Sequence, residues 1–311
     1  MNFQQLRIIR EAVQQNFNLT DVAAALFTSQ SGVSKHIKDL EDELGVELFV
    51  RRGKRLLGLT EPGKELAVIV ERMLLDAKNI KRLAEQFSGA EQGRLTIATT
   101  HTQARYALPQ VVARFKAAFP RVHLVLHQGS PAEIVALLQS GEADIGIATE
   151  ALQTQEQFVT FPFYEWRHAV VVPEGHALAR AGALSLEQLA EHPLITYHEG
   201  YTGRARIDAS FAAAGLSPDI VMSALDADVI KTYVQVGLGV GIVAAMAFEP
   251  QRDQGLQLLD ASALFQANTT RIALKRGHYL RGFAYRFLQE CSAELSEEAV
   301  RAALQPASLA V

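Results

Sequence analysis

Thr28-Ser29-Gln30-Ser31-Gly32-Val33-Ser34-Lys35-His36-Ile37-Lys38-Asp39-Leu40-Glu41-Asp42-Glu43-Leu44-Gly45 decides how this chain is read, and Leu48-Phe49-Val50-Arg51-Arg52-Gly53-Lys54-Arg55 follows it closely. Val33, Ile37, Leu40 and Leu44 recur at helical spacing, which predicts one apolar stripe with Ser29 as N-cap and Gly45 as stop. Ser29, Gln30 and Ser31 stand at the leading end of that helix, and Ser34, Lys35 and Lys38 continue its opposite stripe. Short polar side chains and lysines in the first turns suit a helix end laid in the major groove of DNA, where the former reach base edges and the latter phosphates. A solvated surface helix can have the same composition, so the neighbouring segments carry the decision.

Upstream, Leu6, Ile9, Val13 and Phe17 predict an amphipathic helix, and Thr20 is expected to cap a short second one through Val22, Ala23 and Leu26. A tight turn from Phe27 to Ser29 then leads into the third, which is the helix-turn-helix order. Downstream, residues 46–60 read as two short strands around Arg52-Gly53-Lys54. Beside a helix-turn-helix, a wing carrying Arg51, Arg52 and Lys54 can neutralise flanking phosphates and release their counterions.

The net charge of -4 excludes a chain that is basic throughout. Reading DNA needs only a local positive face, and an acidic balance elsewhere limits non-specific binding. With 311 residues, 49% of them hydrophobic, the chain has material for two or three domains. Its beginning carries Arg7, Arg10 and Glu11 and reads as a helix rather than a secretion signal. The most apolar run, Gly237 to Phe248, is shorter than the roughly 20 residues that span a bilayer. Cys291 is the sole cysteine, which excludes an intrachain disulfide and a cysteine-built zinc site, so a cytoplasmic home is expected.

From Thr60, an expected cap, through Pro62 to a stop at Gly89, the pattern predicts one long helix. Its seam of Leu66, Ile69, Met73, Ala77, Ile80, Ala84 and Phe87 suits pairing with the same helix of a second chain. A dimer formed so would offer two reading helices to two half-sites.

Beyond Arg94 strands alternate with helices. Residues 95–98, 122–126 and 144–148 are read as strands, with a kink or restart at Pro109 and a capping box at Ser130-Pro131-Ala132-Glu133. A second unit follows with strands at 169–172, 194–197 and 220–223, a capping box at Ser185 to Gln188 and a helix from Asp226 to Val236. Residues 272–274 and a helix near 279–291 are assigned a return to the first unit. The expected fold is an α/β region of two lobes with parallel strands, preceded by the winged helix-turn-helix and linker helix. The domains are drawn at 1–59, 60–89 and 90–311, with a frayed tail after about Gln305.

Ligands of open α/β sheets sit beyond the carboxyl ends of the strands. Thr99 to Gln103, Thr149 and Thr202-Gly203 all fall at such ends, and their hydroxyls and helix-start N–H groups favour an anion or a carboxylate. Trp166 is a wall residue for this pocket. His101, His123 and His127 show no matching cysteine or carboxylate pattern, so no metal is assigned. No nucleophile, base or cofactor motif supports an enzyme. Gly237-Leu238-Gly239-Val240-Gly241 fails as a dinucleotide loop because a helix precedes it. A solute-binding transport protein shares the two-lobed logic, and the helix-turn-helix argues against it.

The reader at 29–45, Leu48-Phe49-Val50-Arg51, Leu59-Thr60-Glu61-Pro62-Gly63 and Val236-Gly237-Leu238-Gly239-Val240-Gly241-Ile242 together resemble the LysR-type transcriptional regulators over essentially the whole length. Ser31 stands where that family often has proline. Thr99 to Pro109, His127 to Pro131, Ala148 to Ala151 and Asp226 to Tyr233 resemble its CysB-type branch, the activators of cysteine biosynthesis genes. The resemblance implies two lobes like those of periplasmic binding proteins and an effector pocket using Thr100, Thr102, Gln103, Thr149 and Thr202, with Trp166 nearby. It implies N-acetylserine or O-acetylserine as inducer, sulfate, thiosulfate or sulfide as anionic ligands, promoter DNA and RNA polymerase as partners, and a homotetramer built as a dimer of dimers. A sister regulator of sulfonate or taurine use is the alternative.

Overall fold

The computed structural model describes residues 1–88, 92–180 and 182–304. The chain divides into two compact units, Met1–Ala84 and Glu85–Val311. The expected stop at Gly89 and the tail after Gln305 lie outside the described residues.

In the first unit, helix α1 spans Phe3–Gln14, α2 Leu19–Ala25 and α3 Gln30–Leu44, followed by strands β1, Phe49–Arg52, and β2, Arg55–Leu59. Leu6, Ile9, Val22, Val33, Ile37 and Leu40 form one core with Leu48, Phe49 and Leu56 of the wing. Ser29 caps α3 by accepting from the Gly32 N–H at 3.1 Å, and Gly45 ends it with φ of 69°. Three expectations need correction. Asn18, not Thr20, caps α2, since its side-chain oxygen accepts from the Thr20 N–H. Left-handed turns at Asn16 and Phe17 end α1 before Phe17 and leave Val13 exposed, while Ile8 takes a core place. Leu44 is 40% exposed because the last turn of α3 runs past the core.

Helix α4, Glu61–Ser88, begins in this unit and runs past its boundary. Thr60 caps it, accepting from the Gly63 N–H at 3.1 Å while donating to the Glu47 carbonyl at 2.6 Å. A Cβ at Gly63 would stand 2.0 Å from the Leu48 carbonyl oxygen, so only glycine lets the helix start lie this close to the wing. Val70 and Leu74 face the reader core, with Leu66 and Met73 beside them. Ile69, Ile80, Leu83 and Phe87 remain exposed.

The second unit holds two lobes. Lobe I has a five-stranded sheet ordered β4-β3-β5-β12-β6, from β3 Gly93–Thr99, β4 Val122–Gln128, β5 Ile145–Ala148, β6 Phe158–Trp166 and β12 Asn268–Lys275. A π-helical turn, Gln103–Ala107, precedes α5, Leu108–Ala118, with Pro109 in the first turn, so the predicted restart occurs. The Ser130 capping box opens α6, Pro131–Ser140. Lobe II has the order β11-β7-β10-β8-β9, from β7 His168–Pro173, β8 Leu194–Tyr197, β9 Ile220–Ala224, β10 Val240–Ala244 and β11 Leu256–Asp260. Its helices are α7, Leu186–Ala190, α8, Arg204–Ala213, and α9, Ala227–Gln235; α10, Gly282–Cys291, and α11, Glu297–Leu304, return to lobe I.

The sheets are mixed rather than parallel. β4 and β5 run parallel to β3, and β9 and β10 parallel to β8, but β12 opposes β5 and β6, and β7 opposes β10 and β11. The cause is the double crossing between lobes. The chain leaves lobe I at Trp166, enters lobe II at His168, and returns between Asp260 and Asn268, so β7 and β12 start where their parallel neighbours end. Arg167, the residue between, donates to the Ser262 carbonyl on the second crossing at 3.0 Å. Sequence reading missed β6, β10 and β11. Pro162 disguises β6, which tolerates it as an edge strand with a register shift opposite Thr270 and Arg271. β10 lay inside the apolar run at 237–248 and is buried throughout.

Candidate nucleic-acid interface and effector cleft

On the reader, Ser29, Gln30, Ser31, Lys35 and Lys38 are exposed and Ser34 half-buried, as the buried stripe of Val33, Ile37 and Leu40 requires of the opposite face. The Ser31 hydroxyl lies 3.2 Å from that of Ser29. Arg52 and Lys54 flank Gly53 at the exposed tip of the wing. Arg51 sits differently: its guanidinium donates to Glu41 at 2.7 Å, and the other oxygen of that carboxylate accepts the Leu48 and Phe49 N–H groups. One acid thus ties the wing to α3, and Arg51 is held rather than free-swinging.

In the second unit the two lobes meet where β3, β5 and β8 end. Thr100 is 4% exposed, Thr102 and Gln103 1% and Thr202 2%; Trp166 is buried and Thr149 half-buried. The fold links several of these through residues absent from the sequence-based set. The Trp166 indole N–H donates to Thr270 at 3.1 Å, and Thr270 lies 3.3 Å from the Thr149 hydroxyl. The Trp166 ring stands edge-on to His168, whose Nε2 lies 3.2 Å from the Thr202 carbonyl. A carbonyl only accepts, so Nε2 carries the proton and Nδ1 accepts from the Asn268 amide at 3.4 Å. Tyr164 donates to Gln103.

Two contacts clamp lobe I to lobe II. At one, the Gly203 N–H donates to Glu150. Gly203 precedes α8 with φ of 72°, and a Cβ there would meet Asn268 Oδ1 at 2.6 Å; Thr202 before it is also left-handed, at 42°, an uncommon state for a β-branched residue. Burial pushes the Glu150 carboxyl up to about 7 despite backbone hydrogen bonds from Gly203 and Thr202. Burial likewise pulls His168 down to about 4. At the other contact, Tyr106 donates to Asp228 at 2.7 Å and Arg105 to the same carboxylate at 3.0 Å. Lys231, 5% exposed, reaches Tyr106 at 3.2 Å, the Ala247 carbonyl at 2.6 Å and Asp253 at 2.9 Å. Burial raises the Asp228 carboxyl, but the Tyr106 hydrogen bond and the charges of Lys231 and Arg105 outweigh it and hold the group low.

His101, Asp226 and Asp228 bring one ligand atom each to within 4.8 Å of one another, a grouping that sequence spacing concealed. Asp226 already caps α9 through the Val229 N–H, and Asp228 serves the clamp with Arg105 and Lys231 beside it, so the carboxylates are engaged and cations adjoin them. Buried polar atoms without a hydrogen-bond partner include His101 Nδ1, Glu150 Oε2 and Asn268 Oδ1. The last two line a cavity of about 280 Å³ with Thr149, Gly203, Arg206 and Arg271, between the lobes. His123 and His127 lie exposed on the edge strand β4. Glu150, Tyr164, His168, Asn268, Thr270 and the clamp residues carried no spacing signal, because strands and crossings distant in sequence bring them together.

Residues 3–64 match the bacterial regulatory helix-turn-helix protein family, lysR type, and residues 88–296 match the LysR substrate binding domain. The chain belongs to the LysR family of bacterial transcriptional regulators. This LysR-type regulator is 58% identical over 307 residues to the HTH-type transcriptional regulator SsuR of Burkholderia cenocepacia, covering 99% of this chain and 100% of that one. It is 51% identical over 305 residues to CysB of the same organism, covering 98% and 97%. The crystal structure of the cofactor-binding domain of the Cbl regulator superposes with a TM-score of 0.67 at 52% identity, covering 69% of this chain and 95% of that one. The resemblance to LysR-type regulators and their CysB-type branch, and the two-lobed α/β fold with a helix-turn-helix, are thus borne out. The regulator's relatives are transcriptional regulators, and no described helix is long and apolar enough to cross a membrane.

Proposed function

We propose that this regulator activates sulfate-assimilation and cysteine biosynthesis genes in response to N-acetylserine or O-acetylserine held between its lobes. The carrying observation is the burial of Thr100, Thr102, Gln103, Trp166 and Thr202 at strand ends and a helix start of the effector unit, with Thr149 lining the interlobe cavity beside Glu150 and Asn268, whose Oε2 and Oδ1 lack protein partners. An acetylated amino acid offers the carboxylate that hydroxyls and helix-start N–H groups favour, and an amide or ammonium donor for the orphaned acceptors. Sulfate, thiosulfate or sulfide are the competing anionic ligands. Residues 1–59 serve as the DNA reader, with Ser29, Gln30, Ser31, Ser34, Lys35, Lys38, Arg51, Arg52 and Lys54 toward promoter DNA; 60–89 form the linker and 90–311 the effector domain. No metal and no catalytic step enter this reading.

The exposed row of Ile69, Ile80, Leu83 and Phe87 on α4 supports pairing with a second copy, and a dimer of dimers in the cytoplasm, contacting RNA polymerase at activated promoters, completes the reading. The mechanism is a population shift: the effector acts only by binding one lobe arrangement more tightly than the other. The alternative is a regulator of sulfonate or taurine use, which identities of 58% to SsuR and 51% to CysB fit equally well. Footprinting upstream of the host's sulfate-assimilation genes separates them. A footprint that shifts with N-acetylserine supports the first reading, and one indifferent to it rejects that effector. Thr100→Ala and Thr202→Ala are expected to weaken the response with operator affinity retained; unchanged dose-response curves in both would reject the pocket.

A further inference from the structure

Arg281, 7% exposed, is the residue before α10, and its guanidinium reaches the last turn of α4. It donates to the Glu85 carbonyl at 3.1 Å and to the Gln92 carbonyl, just ahead of β3, at 2.6 Å, and pairs with the Glu85 carboxylate at 3.3 Å. The Gly282 N–H, the first of α10, donates to Gln86 Oε1 at 2.9 Å, and the guanidinium lies over the Phe283 ring, 4.7 Å from its centroid. Gly93, with φ of 137°, makes room for this, since a Cβ there would stand 2.1 Å from an Arg281 nitrogen. Ala84, Glu85 and Phe87 are exposed, so water is at hand for the final carbonyls of α4, and capping them does not call for a buried cation. What one planar fork adds is direction, because it ties α4 and the approach to β3 to α10 at the same point.

From this point α10 leads back toward the lobe clamp. Phe287 meets Phe115 of α5 edge-on at 5.4 Å, Phe283 meets Phe119 at 6.4 Å, and Glu290 pairs with Arg114 of α5 at 2.7 Å. Helix α5 follows directly on the π-helical turn that carries Gln103 of the proposed effector site, and Arg105 and Tyr106 of that turn hold Asp228 of lobe II. A close-packed pair of helices moves as a unit, since its interior has no slack to absorb a displacement. We propose that Arg281 is a positioning residue for regulation: it couples the end of α4 to the α5–α10 pair, so that a rearrangement of the lobes moves the helix that continues into the DNA reader. This rests on the reading of the cleft as the effector site. With the guanidinium removed, the lobes still bind effector, but α4 no longer follows them, and the coupling between the two binding events is lost.

The test uses the full chain, a duplex selected on the wild type and N-acetylserine as probe, with ligand binding followed by calorimetry and the DNA complex by footprinting. Arg281→Met should bind N-acetylserine and the duplex each within about twofold of the wild type. Its footprint should nevertheless be the same with and without the ligand, where that of the wild type shifts. Glu85→Ala with Gln86→Ala, made on the last turn of α4, should reduce the ligand-dependent shift from the other side of the contact, again with both bindings kept. Arg281→Lys retains the charge without the fork and should recover part of the shift. A full shift in Arg281→Met would overturn the proposal and leave the cleft standing as the effector site. Loss of folding or of N-acetylserine binding in Arg281→Met, with the double variant shifting like the wild type, would make Arg281 a support of lobe I alone and overturn it too. A wild-type footprint indifferent to N-acetylserine would overturn the effector reading and the proposal with it.

Discussion

At the leading end of α3 the polar side chains stand in water with few protein partners, whereas in the interlobe cleft Thr102, Gln103 and Thr202 are at most 2% exposed and the surrounding groups are largely bonded to one another. The two surfaces suit different ligands. A polyanion many times longer than its footprint is met by solvated hydroxyls and cations, which lose little water until it arrives. A molecule of a few atoms must be enclosed, and enclosure buries titratable groups such as Glu150 and Lys231, whose charge then matters to the stability of the protein itself. Substitutions in the cleft should therefore register in folding, and substitutions on the reader in binding.

The largest effect expected is that of Lys231→Met, which leaves Asp253 buried without its cation and should cost the effector unit on the order of 3–5 kcal/mol. Trp166, the only tryptophan, lies in that unit, so its fluorescence during urea unfolding reads the loss directly. A loss below about 1 kcal/mol would remove the clamp from the stability argument.

Glu150 gives a pH-dependent version. Its folded pKa, about 7, lies above the usual 4.5, so the folded state holds the proton more tightly, and stability present below pH 4.5 declines as pH rises through 7. Glu150→Gln should remove that decline, gaining on the order of 3 kcal/mol at pH 8 and almost nothing at pH 4. His168 acts with opposite sign. Its folded value, about 4, is depressed, so its contribution is present above 6.5 and lost as pH falls toward 4. In the Glu150→Gln protein His168→Asn should reduce the remaining slope near neutral pH, the rest of which belongs to His176, also held low by burial.

On the reader side, Lys35→Ala with Arg52→Ala is expected to lower the salt slope of DNA binding by about 2 while leaving thermal unfolding nearly unchanged. An unaltered slope would take both residues out of the interface. The smallest effect is at the cap: Ser29→Ala should cost about 1 kcal/mol by freeing the Gly32 N–H, visible in unfolding of the reader alone.

The sequence by itself determined the reader. Ser29, Val33, Ile37, Leu40 and Gly45 lie within one helix, and a helix's cap, stripe and stop are local properties of consecutive residues. It also put the threonines of the proposed effector site at strand ends and a helix start, because those are local too. Only the tertiary structure decided which residues share the cleft. Thr149, Trp166 and Thr202 are connected through His168 and Thr270, and the lobes are clamped by Glu150 and by Arg105, Tyr106, Asp228 and Lys231, because the chain crosses between the lobes twice. The same crossings reverse β7 and β12 and make both sheets mixed. Pairing between strands so far apart in the chain, as β7 with β10 and β12 with β5, leaves no period in the sequence, so it appears only when the chain is folded.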